Sequence, residues 1–123
     1  MPPPKISLAE KLGAFDETWV PKVVGELNGQ YVKVAKLLGE YVWHHHENED
    51  EMFLVVSGAL RILFRDGEVA LGPGEFCIIP SGVEHKPVAD EPVECVLFEP
   101  AATRNTGNVD HGYTIEADDL DRV

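Results

Sequence analysis

The sequence predicts an all-β domain, an antiparallel double sheet preceded by one short helix. From Trp19 onward the chain runs as short β-rich segments punctuated by turn residues, the grammar of a sandwich or barrel. No helical pattern long enough to connect parallel strands lies among these segments, which excludes βαβ architecture. Asn28-Gly29 separates two of them, a strong hairpin signal because both residue types accept positive φ.

The elements follow in order. Met1-Pro2-Pro3-Pro4 begins an arm over residues 1–5, where prolines offer no donors and solvation is expected; a single domain over 6–123 follows. Ser7-Leu8-Ala9-Glu10 fits a capping box, and Leu8, Leu12 and Phe15 recur at roughly helical spacing, so a helix is expected from about Leu8 to Phe15, weakened by Gly13. Strands are then expected at Val20–Leu27, Gln30–Leu38, Tyr41–His46, Met52–Val56, Leu60–Arg65, Glu68–Leu71, Phe76–Ile79 and Val93–Glu99, which places the barrel core at about 20–100. After Pro100 the composition turns polar, Asn105-Thr106-Gly107-Asn108 reads as loop, and Ile115 to Leu120 is expected to form a last helical turn.

At 123 residues the chain is the size of one domain with one core. Ten basic residues against 22 acidic ones leave a net charge of −12, a field that repels phosphate backbones and anionic lipid heads and argues against nucleic acid as a partner. No apolar run reaches the roughly 20 residues of a membrane span, and the start lacks a basic-then-apolar leader, so the expected location is the cytoplasm. Cys77 and Cys95 lie within apolar runs and are expected as buried free thiols.

Chemistry concentrates in one stretch. His44, His45 and His46 precede the acidic run Glu47-Asn48-Glu49-Asp50-Glu51, and His85 stands alone further on. Along a strand alternate side chains share a face, so His44 and His46 point together while His45 points away. Two imidazoles, a carboxylate from the next strand and a third imidazole suit a divalent transition metal with positions left for water or substrate. Three adjacent histidines taken alone would equally suit a solvated surface cluster. Val42, His44 and His46 share a face, as do Glu51, Phe53 and Val55; Val42 and Phe53 are therefore the expected pocket-lining residues. Tyr41 and Trp43 are expected on the opposite face, against a second layer or a partner subunit.

The spacing resembles the two signature motifs of the cupin superfamily. The first, G(X)5HXH(X)3,4E(X)6G, is matched by Gly39, His44, His46, Glu51 and Gly58, with four residues rather than five between Gly39 and His44. The second, G(X)5PXG(X)2H(X)3N, is matched by Gly74, Pro80, Gly82 and His85, with Ala89 in place of the final Asn. The resemblance implies a jelly-roll barrel and a metal, iron, manganese, nickel or zinc, held inside it by His44, His46, Glu51 and His85. Glu49 and Asp50 are neighbouring carboxylates, but Glu51 alone satisfies the count to Gly58.

Small single-domain cupins include dioxygenases and sugar isomerases or epimerases, and some are labelled mannose-6-phosphate isomerase-like, so a small-molecule metalloenzyme of one of these types is expected. A non-catalytic binding module is the alternative. The resemblance also implies a homodimer. No residue beyond the ligands stands out as a general acid or base; Arg61, Arg65, Arg104 and His111 are expected on the surface.

Overall fold

The computed structural model describes residues Met1 to Val123. Helix α1 spans Leu8–Leu12, with Ser7 Oγ accepting from Glu10 N–H at 3.2 Å. It stops at Gly13, three residues before the expected end, because glycine is a poor helix former and here serves as the C-cap. Leu12 and Phe15 still pack together, onto Val34 and Val96 on the outer face of the sheet.

Seven strands follow: β1 Lys22–Leu27, β2 Gln30–Glu40, β3 Glu51–Ser57, β4 Leu60–Phe64, β5 Gly67–Leu71, β6 Phe76–Ile79 and β7 His85–Pro100. All pairings are antiparallel, and the path runs β1-β2-β7-β3-β6 with β4 joining β7 to β5. Asn28 and Gly29 turn the first hairpin at φ 51° and 78°, the conformation the dipeptide was expected to supply.

β7 closes the architecture. Its first residues, His85 to Val88, pair with β4, and Glu94 to Phe98 pair with β3, while β2 runs beside both halves. One strand thereby belongs to two sheet regions, and the layers curl around a single interior. The strand was expected only over Val93–Glu99; it begins eight residues earlier, at His85. Pro92 is tolerated because Asp90, Glu91 and Pro92 bulge outward, exposed, where the register against β2 shifts between Leu37 and Gly39; a bulge needs no ladder donor.

The expected strand Tyr41–His46 is irregular. Its ladder contact is an isolated bridge from His44 to His85. Cys95 is buried and Cys77 half-buried, both as free thiols. A short 3-10 turn at Ala117–Asp119 stands where a longer helical turn was expected. The polar segment after Pro100 is loop, as expected, and part of it packs inward: Thr103 and Thr106 are fully buried, and Asn108 N–H donates to His45 O at 3.1 Å. No helix is long and apolar enough to cross a membrane.

Candidate metal centre

Glu51 opens β3 and points inward with Phe53 and Val55, the three being 4%, 5% and 0% exposed. His85 opens β7 and is fully buried. His44 is tied to it by two backbone hydrogen bonds, and His46 O accepts from Gly82 N–H at 2.7 Å, so the turn Pro80-Ser81-Gly82 braces the histidine segment. The four side chains converge: His44, His46, Glu51 and His85 are all buried, and one ligand atom from each lies within 4.8 Å of the others.

The protonation pattern is built into the backbone. His44 Nδ1 lies 2.9 Å from Val42 O, and His85 Nδ1 lies 2.9 Å from Val83 O. A carbonyl only accepts, so each Nδ1 carries the proton and donates, leaving the Nε2 lone pair for the site. Burial, then the neighbouring His85, pushes His44 down to about 4, which keeps its ring neutral. Burial works against ionising Glu51, but the neighbouring Glu99, His46 and His85 side chains outweigh it and hold the carboxyl well below the usual range. Glu51 Oε1 stands 3.2 Å from His85 Nε2 and 3.5 Å from His46 Nε2.

A divalent ion fits this arrangement. Both ring nitrogens of His46 are buried without a hydrogen-bond partner from the protein, a cost that metal ligation through Nε2 would relieve at that atom. Ligands about 2.1 Å from a shared ion lie at most about 4.2 Å apart, so rotations of a few tenths of an ångström would bring the set into coordination.

Two spaces flank the cluster. A cavity of about 30 Å³ touches His44 and Glu51 and is walled by Trp19, Tyr41, Phe53, Leu37 and Leu97, with Glu99 and Asn105 as further polar members. A cleft of about 390 Å³ touches His46 and is lined by Glu47, Asn48, Glu49, Ala102, Arg104, Gly107 and Asn108.

Phe53 thus lines the small cavity, whereas Val42 does not: it is half-buried and lends its carbonyl to His44. Tyr41 corrects the expected face. It turns inward, 9% exposed, stacked on Trp19 at 4.6 Å and edge-on to His44 at 5.5 Å. Strand alternation does not extend through this irregular segment, which starts after Gly39 at φ 89°. Trp43 faces outward beneath the Arg65 guanidinium, 3.8 Å from its ring centre. His45 also faces outward, near Glu47. His111 is exposed; Arg61 pairs with Asp90 and Arg65 with Glu84. Arg104 does reach the cleft, but Asp110 and Glu116 engage it.

Lys33 and Glu99 were not anticipated. Each is the charged residue of an inward stripe, Lys33-Ala35-Leu37 on β2 and Val93-Cys95-Leu97-Glu99 on β7. Opposite charges at corresponding ends of two adjacent apolar stripes were the available signal.

The family model described as the cupin domain matches residues 33–99. The chain is a cupin. Among solved structures, this cupin is similar to a cupin-2 domain containing protein from Shewanella frigidimarina, at 43% identity over 77% of this chain and 93% of that one, with a TM-score of 0.76. It is 42% identical to the uncharacterized protein YdbB of Bacillus subtilis over 64 residues, which span 51% of this chain and 57% of that protein. It shares the cupin fold with hydroquinone 1,2-dioxygenase PnpCD, at 19% identity and a TM-score of 0.65, covering 76% of this chain and 71% of that one.

Proposed function

We propose that this cupin is a small-molecule metalloenzyme of the dioxygenase type, with one redox-active divalent ion, iron, manganese or nickel, held by His44, His46, Glu51 and His85. The observation that carries this reading is the cluster's position between two spaces of opposite character. The cavity at His44 and Glu51 is about 30 Å³, mostly apolar and walled by Trp19, Tyr41 and Phe53. It takes no more than about two water-sized groups, which suits a diatomic gas. The cleft at His46 is about 390 Å³ and polar, the size of a small organic ligand's site.

A bound divalent ion supplies an electrophilic centre where dioxygen and an electron-rich substrate meet. This chain's residues arrange the meeting. Val42 O and Val83 O hold the His44 and His85 rings in the ligating tautomer. Trp19 and Tyr41 shield the inner side from bulk water, and Asn48 and Asn108 offer hydrogen bonds to a substrate in the cleft. The fold shared with hydroquinone 1,2-dioxygenase is consistent with this chemistry but does not choose it.

Isomerase or epimerase chemistry is the second reading. Its mannose-6-phosphate form is less well supported, because phosphate calls for free basic donors, and Arg104, the cleft's arginine, is already engaged by Asp110 and Glu116. The two free cysteines support a place in the reducing cytoplasm.

Dioxygen uptake by the protein reconstituted with ferrous ion tests the proposal, using hydroquinones, catechols and small thiols as substrates. Metal-dependent uptake with one class is expected. No uptake alongside turnover of sugar phosphates would favour the isomerase; no turnover of either kind would leave a binding module.

A further inference from the structure

His44 and His46 lie outside the regular strands, so no continuous ladder aims their side chains as it would along a strand. Part of the segment is held from one side: His44 exchanges both backbone hydrogen bonds with His85, and His46 O accepts from Gly82 N–H. The backbone groups of His45 have a different partner, and it is a single residue. Asn108 N–H donates to His45 O at 3.1 Å, and His45 N–H donates to Asn108 Oδ1 at 2.9 Å. This is the two-bond exchange of an antiparallel ladder, with a side-chain oxygen in place of the second carbonyl. Asn108 stands in for a neighbouring strand.

The loop that carries Asn108 is itself braced. Asn105 Nδ2 donates to Tyr113 O and Asn105 Oδ1 accepts from Ile115 N–H, both at 2.8 Å, and Thr106 Oγ1 donates to Val109 O at 2.7 Å. Gly107, at φ 55°, lets the chain pass where a Cβ would lie 2.1 Å from His45 O. Asn108 is exposed, so water could satisfy the same two groups of His45. Satisfying them is therefore no reason for the contact. What Asn108 supplies and water does not is a fixed direction.

We propose that Asn108 is a positioning residue that, by clamping the backbone of His45, sets the aim of the His44 and His46 imidazoles toward the metal. The inference rests on reading the four-residue cluster as a metal site. His44 and His46 flank His45, so turning the backbone at His45 would splay the two rings, whose centroids stand 5.0 Å apart. With His85 and Gly82 holding one side and Asn108 the other, the segment turns only by breaking hydrogen bonds. The ligand directions are thus set before an ion arrives, and that ordering need not be supplied on binding. Aspartate can replace Asn108 in this role, because its oxygen accepts from the same N–H.

The test titrates cobalt(II) into the metal-stripped full chain, read by calorimetry and by the visible bands of the bound ion. Asn108→Ala removes the side-chain acceptor and keeps the backbone donor. It is expected to bind one cobalt about 3–10-fold more weakly, the effect of one net hydrogen bond, and to shift the bands. Asn108→Asp is expected to bind at least as tightly as wild type, with unshifted bands. Wild-type affinity and bands in Asn108→Ala would overturn the inference, as would an Asn108→Asp variant that loses as much as Asn108→Ala. Should Asn108→Ala not fold, Asn108→Asp decides alone: unshifted bands uphold the inference and shifted bands with weaker binding overturn it. A wild-type chain that binds no cobalt would overturn the metal reading itself, an outcome distinct from either.

Discussion

His44 and His85 are joined by reciprocal backbone hydrogen bonds, His44 N–H to His85 O at 3.0 Å and His85 N–H to His44 O at 2.9 Å. Their ring centroids stand 4.3 Å apart. The irregular histidine segment is thereby fastened to the start of β7.

His46→Ala and His85→Ala are expected to weaken binding of one equivalent of metal by at least about 100-fold, since each removes a ligand. His45→Ala is expected to change it less than about threefold, because His45 points outward, near Glu47. Elemental analysis of untagged protein, with calorimetric titration of each variant, checks both; equal losses from all three would sink the assignment.

Acid should destabilise the apoprotein through His44. Its folded value is near 4, against 6.5 in the unfolded chain. Between those values the unfolded chain takes a proton that the folded one refuses, so stability falls as pH drops from about 6.5 toward 4 and is unaffected by this group above that window. The loss is on the order of 3 kcal/mol. Thermal melts across pH 4 to 7 of wild type and His44→Gln measure it, the variant having the flatter profile.

Gly107 carries the loop that packs on the histidines. A Cβ there would lie 2.1 Å from His45 O and 3.2 Å from His44 Cδ2, and the first contact is with backbone, which cannot swing aside. Gly107→Ala is expected to cost about 2 kcal/mol of stability and to weaken metal binding. A melting temperature and metal affinity within error of wild type would show that the loop relaxes freely.

A homodimer remains our expectation, now placed elsewhere on the surface. Tyr41 is buried and Trp43 covered by Arg65, whereas Phe76 and Ile78 on edge strand β6 are 56% and 59% exposed. Exposed apolar side chains beside an open edge are the kind of surface through which sheets associate, and we propose that two copies meet there. Light scattering at micromolar concentration should give twice the monomer mass for wild type and the monomer mass for Phe76→Lys with Ile78→Lys. A monomeric wild type would end the idea.

The sequence by itself determined the antiparallel β class and the first hairpin, because these depend on short-range features, period-two alternation and turn residues, and its resemblance to the cupin motifs singled out the four residues that meet in the cluster. Phe53, on the regular strand β3, lines the small cavity. Only the tertiary structure decided the inward turn of Tyr41, the continuation of β7 through Pro87 and Pro92, the docking of Thr103 to Asn108 over the histidines, and the meeting of Lys33 with Glu99. Each of these depends on which distant strand lies alongside. A bulge resets alternation without changing composition, and a charge can be buried only where another strand brings its partner.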